Sequence, residues 1–253
     1  MPSLPTPADH ALAVRAATEA GQLLLRIRDE MHDSGLHPMY VGDEGDVQAH
    51  RLLMELLQRE APATDGILSE EGRDDLARLQ AERVWIVDPL DGTREYSEPG
   101  RSDWAVHVAL CIDGDPVCGA VALPSVGVTY GTDPAAPPPA PWDGAPRLVV
   151  SRSRPTQMAE RIRTALGGTL HPLGSAGAKA MAVVRGEADV YAHSGGQYEW
   201  DNAAPAAVAL AAGFHASRLD GSPLRYNQAD PWLPDLLICR ADLADSVLHA
   251  LWG

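Results

Sequence analysis

Apolar positions recur every three or four residues through Ala13, Ala16, Ala17, Ala20, Leu24, Ile27 and Met31. That spacing predicts an amphipathic helix, with Asp9 as its N-cap. The run Gly42-Asp43-Glu44-Gly45-Asp46 breaks the pattern and predicts a loop rich in glycine and acids. A second helix is expected after it, with Val47, His50, Met54 and Leu57 on one face. Two short strand-like runs follow, Ile67-Leu68 and Val84–Val87, and each leads straight into acidic residues. From Trp104 to Ile112 bulky residues alternate with smaller ones, Asp113-Gly114 offers a turn, and Val117–Leu123 reads as a returning strand. An antiparallel meander is therefore expected. Residues 134–146, PAAPPPAPWDGAP, read as an exposed Pro-rich loop. They suggest a boundary between an N-terminal α+β half, 1–146, and a C-terminal α/β half, 147–253. In the second half we expect strands at 148–151, 188–192 and 236–239 and helices at 156–166, 176–185, near 202–212 and at the end. Helices and strands mixed in both halves predict layered α/β packing.

A chain of 253 residues can bury a substantial core in one large domain or two joined halves. With one Phe, that core must rest on Leu, Val, Ile and Ala. The net charge of −15 repels a nucleic-acid backbone and leaves no basic footprint for one. The same excess describes either a solvated acidic surface or acids converging on cations, and only spacing separates the two. Cys111, Cys118 and Cys239 show no CxxC, which argues against a disulfide scaffold or a zinc site. Met1 to His10 lacks the basic start and apolar run of a signal peptide, and no run approaches a membrane span. A cytoplasmic protein is expected, with neither nucleic acid nor membrane as partner.

The acids cluster at four places: Asp46, Glu70-Glu71, Asp88 with Asp91, and Asp201. In Asp88-Pro89-Leu90-Asp91-Gly92-Thr93 a buried strand should run into two carboxylates. Pro89 fixes one φ and Gly92 permits a tight turn, so both carboxylates can point at one place. Ionised carboxylates so placed repel and are costly to desolvate, and a divalent cation relieves both costs. Hard oxygen ligands, a backbone carbonyl such as that of Leu90 included, suit Mg²⁺. Taken alone, two acids three apart read better as a solvated turn.

The surrounding strings reverse that reading. Trp85–Thr93 (WIVDPLDGT), Leu68–Gly72 (LSEEG) and Glu199–Pro205 (EWDNAAP), in that order, resemble the three motifs of the inositol-monophosphatase-like phosphatases. Gly174–His193 resembles the segment that precedes the last motif there. Arg94-Glu95 after Thr93, and Val149–Arg154 (VVSRSR), look most like the CysQ branch, the 3′(2′),5′-bisphosphate nucleotidases. The resemblance implies an alternating α-β-α-β-α sandwich of the inositol monophosphatase and fructose-1,6-bisphosphatase type. It implies that Glu70, Asp88 and the Leu90 carbonyl hold one Mg²⁺, that Asp88, Asp91 and Asp201 hold a second, and that a third, weaker ion often joins. Thr93 with Asp46 would orient and deprotonate the attacking water. Asp43-Glu44-Gly45-Asp46 stands where the family usually has Thr-x-x-Asp, so the local loop geometry is expected to differ.

The activity implied is hydrolysis of the 3′-phosphate of adenosine 3′,5′-bisphosphate in sulfur-assimilation recycling, with sensitivity to Li⁺. Inositol-1-phosphate or fructose-1,6-bisphosphate phosphatase is the alternative of the same fold, and a non-catalytic cation- or nucleotide-binding relative is another. A homodimer is compatible with this. Substrate contacts are expected from Gly92, Thr93, Arg94, Ser151, Arg152, Ser153, Gly174, Ser175, Lys179 and Asp201. Ser151–Thr156 follows a strand and opens a helix, which makes it the candidate cradle for a second phosphate. His50, His107 and His193 lack metal spacing and read as satisfied or surface histidines; Gly195-Gly196 reads as a turn.

Overall fold

The computed structural model of the chain describes residues 4–33, 37–140, 144–152 and 156–253. Ser153, Arg154 and Pro155, part of the candidate cradle, lie outside these.

Helix α1 (Pro7–Asp33) opens on Thr6, not on Asp9. The Thr6 hydroxyl accepts from Asp9 N–H, and the Asp9 carboxylate accepts from Thr6 N–H at 2.7 Å, a reciprocal cap. Helix α2 (Pro38–Glu60) absorbs the segment expected as an acidic loop. Its buried face is Val41, Gly42, Gly45, Asp46, Ala49, Leu53, Leu56 and Leu57, while Val47 is exposed, so the apolar face differs from the one expected. The two glycines serve close packing instead of a turn. A Cβ at Gly42 would lie 2.7 Å from both Ser97 Oγ and Thr93 Cγ2, and one at Gly45 would lie 2.8 Å from Tyr96 Cε1. Glycine in a helix costs about 1 kcal/mol against alanine; here it brings α2 against the short helix α3 (Thr93–Ser97).

Strands β1 (Gly66–Ser69), β2 (Arg83–Asp91), β3 (Ala105–Ile112), β4 (Asp115–Leu123) and β5 (Val128–Gly131) form one sheet in that order. Only β1 and β2 are parallel; the rest is the expected meander, turned at Asp113 and Gly114, both at positive φ. The second half supplies β6 (Arg147–Ser151), α4 (Gln157–Leu166), β7 (Thr169–Leu173), α5 (Ala176–Val184), β8 (Val190–Tyr198), α6 (Glu199–Ala211), β9 (His215–Ser217), β10 (Trp232–Cys239) and α7 (Ala244–Trp252). Its sheet runs β7-β6-β8-β10-β9. Gly195-Gly196 lies inside β8, not in a turn.

Side-chain alternation sorts these elements into layers. Trp85, Val87, Val106, Val108 and Leu110 face α1 and α2, whereas Val84, Ile86, Ala109 and Cys111 face α5 and α6. The second sheet also gives one face to α5 and α6, through Val149, Tyr191, Leu236 and Ile238. Its other face, with Leu148, Val190, Leu237 and Cys239, packs on α4 and α7. The result is the α-β-α-β-α sandwich expected, with α5 and α6 as its middle layer. No helix among the described residues is long and apolar enough to cross a membrane.

Candidate active site

Asp88 and Asp91 are not on a turn. Both lie in β2, which continues through Asp91. In a regular strand, residues three apart point to opposite faces. Here Asp88 pairs with His107 and Asp91 with Ala105, so Pro89 and Leu90 stand opposite Val106 alone. This bulge returns both carboxylates to one face, the face of His107 and Ala105. It also admits a proline, which lies beyond the last β1 pair, Ser69 with Val87, and in the irregularity against β3, so no ladder bond is lost. Leu90 N–H closes the loop by donating to Asp88 Oδ1 at 3.0 Å.

That face looks into the middle layer. Asp201, in the first turn of α6, meets the pair there: one oxygen from each of Asp88, Asp91 and Asp201 lies within 4.8 Å of the others. Burial, and then Glu70, Asp91 and Asp201, push Asp88 well above the usual carboxylate range. Burial and Asp91 raise Asp201 to about 6, although it accepts from Tyr198 N–H at 2.6 Å. Asp91 differs. Burial alone would raise it, but His107, Ser175 and Lys179 override burial and hold it at about 2. It accepts from the Ser175 hydroxyl at 2.5 Å, Ala176 N–H at 3.0 Å and Gly177 N–H at 2.6 Å, and so takes up the positive end of α5. His107 Nε2 sits 3.3 Å from Asp91 Oδ2, and Nδ1 lies 3.0 Å from the Trp200 carbonyl. A Cβ at Gly177 would lie 2.1 Å from His107 Nε2, so only glycine lets α5 approach this closely.

Glu70 follows β1, and its N–H donates to the Val87 carbonyl, which sets it beside Asp88. Part of Glu70 meets solvent, yet the protein around its carboxyl, and then Asp201 and Asp91, raise it to about 7. Its charge is in turn felt at Asp88, after burial the first cause of that carboxyl's rise. Asp46 comes from α2. Burial, then Glu71 and Glu70, raise it to about 8, with Thr93 beside it opposing the rise. Asp46 Oδ1 is buried with no hydrogen-bond partner among the described residues. The Thr93 hydroxyl also reaches the Leu90 carbonyl at 3.2 Å. Five acids thus crowd together with too few donors, and hard oxygens so placed fit a small divalent cation.

An open cavity of about 500 Å³ adjoins this cluster, and its floor includes Asp91, Ser175, Lys179, Tyr191 and Asp201. Lys179 is buried; it donates to the Gly174 and Ser175 carbonyls and lies 5.4 Å from the Tyr191 ring centroid.

Comparison with known proteins agrees with this arrangement. The model of the inositol monophosphatase family matches residues 9–135 and 143–252. The chain belongs to that family. It is 55% identical over 241 residues to a 3′-phosphoadenosine 5′-phosphate phosphatase of Mycobacterium tuberculosis, covering 92% of this chain and 89% of the relative. It is 30% identical over 247 residues to the 3′(2′),5′-bisphosphate nucleotidase CysQ of Escherichia coli, covering 86% and 93%. The structure of CysQ from Bacteroides thetaiotaomicron, described as a bacterial member of the inositol monophosphatase family, superposes with a TM-score of 0.78 at 28% identity, covering 92% and 97%.

In this member of the inositol monophosphatase family, the expected site residues do not all meet. Gly92, Ser151, Ser175, Lys179 and Asp201 line the cavity beside Asp91. Arg94 does not join them: its side chain is 74% exposed and pairs with Glu98. Gly174 N–H donates to Asp103 at 2.6 Å, and Arg152 pairs with the same carboxylate at 3.0 Å. A substrate would have to share Arg152 with Asp103. His107 and His193 are satisfied, by the Trp200 and Gly196 carbonyls, and both lie near the cluster: His193 lines the cavity, and only the β2–β3 register puts His107 opposite Asp88. Asp103, Tyr198 and Trp232 carried no sequence signal, since they lie outside the acidic motifs.

Proposed function

We propose that the chain is a Mg²⁺-dependent phosphatase that cleaves the 3′-phosphate of adenosine 3′,5′-bisphosphate, giving adenosine 5′-monophosphate and phosphate. The convergence of Glu70, Asp88, Asp91 and Asp201 beside Asp46 and Thr93 carries the reaction class. The mycobacterial and enterobacterial relatives support the substrate. Glu70, Asp88 and the Leu90 carbonyl are assigned to one ion, and Asp88, Asp91 and Asp201 to a second. When bound, Mg²⁺ supplies neutralisation of the phosphate dianion and of the leaving alkoxide.

The chain's own groups do the rest. The Thr93 hydroxyl orients the attacking water, and Asp46 takes its proton at Oδ1, which has no other partner among the described residues. A carboxyl held near 8 is a competent base at neutral pH once neighbouring cations bring it down. The first turn of α6 presents its dipole to the phosphoryl oxygens. Ser151 and Arg152 are assigned to the 5′-phosphate. Li⁺ matches Mg²⁺ in size with half the charge and is expected to inhibit. A cytoplasmic role in sulfur-assimilation recycling goes with this reading.

Phosphate release tests it. With Mg²⁺, adenosine 3′,5′-bisphosphate should show a higher kcat/KM than inositol-1-phosphate or fructose-1,6-bisphosphate, and excess chelator should abolish turnover. Preference for inositol-1-phosphate, or full activity in chelator, would overturn it.

A further inference from the structure

The cavity has one wall that the phosphatase chemistry does not use. Its lining includes Tyr198 and Trp232, which are 46% and 48% exposed. Four large aromatics among the described residues are this open, and two of them sit together at this mouth. Their placement is built, not incidental. Trp232 of β10 pairs directly with Tyr198 of β8, so both side chains stand on one face of the second sheet. Trp200 stacks behind Tyr198, with ring centroids 4.8 Å apart and planes 10° from parallel. The indole of Trp232 lies against Gly196, where a Cβ would come within 2.5 Å of Nε1. Glycine there is a seat: any side chain would lift the indole off the strand.

The segment bearing Trp232 is also tied down. Its N–H donates to Asp230 at 3.1 Å. The fully buried Glu199 accepts from Asn227 and Gln228 N–H at 2.7 Å each, and Glu199 N–H donates to the Pro231 carbonyl at 2.8 Å. An exposed aromatic face held this firmly loses little entropy when a flat ring stacks on it.

We infer that Trp232, flanked by Tyr198, is the platform on which the substrate's nucleobase stacks, and that it selects nucleotides over base-free phosphate esters. This rests on the phosphatase reading above. The carboxylates and Lys179 lie at the cavity floor, where the phosphate chemistry belongs, and the apolar rim faces what lies beyond the sugar. A nucleoside phosphate is the class of ester with a planar π-system at that end; inositol and hexose phosphates have none.

The test compares wild type, Trp232→Ala and Trp232→Phe, each checked for an unchanged melting profile. The measured quantity is the ratio of kcat/KM for adenosine 3′,5′-bisphosphate to that for inositol-1-phosphate. Stacking on one aromatic predicts a fall in that ratio of about 5- to 150-fold in Trp232→Ala, carried mostly by KM. The ratio should be largely restored in Trp232→Phe, which keeps a ring. An unchanged ratio in Trp232→Ala, or an equal loss in both variants, overturns the platform. Equilibrium dialysis with adenosine 5′-monophosphate separates this from failure of the substrate assignment. If wild type releases no phosphate from the bisphosphate, the substrate assignment falls. The platform still stands if the nucleotide binds wild type and Trp232→Phe and binds Trp232→Ala more weakly by the same factor. Equal binding to all three overturns it.

Discussion

Asp88 is buried among Glu70, Asp91 and Asp201, and its carboxyl is raised well above the usual range. The sign of its effect on stability follows. An acid whose folded pKa is raised weakens the fold progressively as pH climbs past its unfolded value near 3.8. At neutral pH Asp88 therefore costs stability until a cation joins it. Asp88→Asn should leave the metal-free melting temperature unchanged or higher. It should abolish the upward shift that Mg²⁺ gives the wild type, and should lower kcat by about 10²- to 10³-fold, the scale of losing one preorganised charge partner. Calorimetry with and without Mg²⁺ reads the first pair, and phosphate release reads the last. A Mg²⁺-induced shift that survives in the variant would remove Asp88 from the metal site. The motif named Asp88 and Asp91 outright. It did not reveal that Asp91 is already held low by the start of α5, because the donors come from residues more than eighty positions away.

Helix α5 shows how an element can serve fold and site at once. Ser175 is its N-cap, accepting from Ala178 N–H at 3.0 Å, while its hydroxyl donates to Asp91 at 2.5 Å. Ser175→Ala removes the cap and one donor to Asp91. The expected loss is about 1–2 kcal/mol, or about 2–8 °C for a chain of this size, with reduced turnover. Ser175→Thr should recover part of both. Thermal melts of the two variants decide it, and equal melting of Ser175→Ala and wild type would show that the cap carries no weight. A helix at 176–185 and the strands that became β3 and β4 were already expected from the sequence. Strands β5, β7 and β9 went unread because they are short and half-exposed, with little alternation to show. The N-terminal part of α2 was misread because two glycines in an acidic run look like a loop until α3 packs against them.

Across the whole molecule, Asp103 ties the two sheets together. It accepts from Arg101 twice, at 2.7 and 2.8 Å, from Gly174 N–H at 2.6 Å and from Arg152 at 3.0 Å. Burial would raise its carboxyl, but Arg101, Gly174 N–H and Arg152 outweigh burial and hold it at about 2, below the ordinary 3.8. A depressed acid adds stability that is complete above the unfolded pKa and disappears as pH falls through the folded one. The tie should therefore add about 2 kcal/mol at neutral pH and fade between about pH 4 and pH 2. In urea titrations Asp103→Asn should be weaker than wild type at pH 7, and the gap should close across that acid window. A gap independent of pH would show that the loss is one of packing.

The order of the motifs, the carboxylates they carry and the layered class were fixed locally, because backbone periodicity and ligand chemistry are written in neighbouring residues. The bulge that turns Asp88 and Asp91 to one side depends on β3 as partner, and His107 enters the site only through that pairing. Gly177 and Gly42 matter for what approaches them, and Trp232 for the strand it pairs with. Register and close approach are relations between distant segments, so they exist only once the sheets have formed and the helices have packed on them.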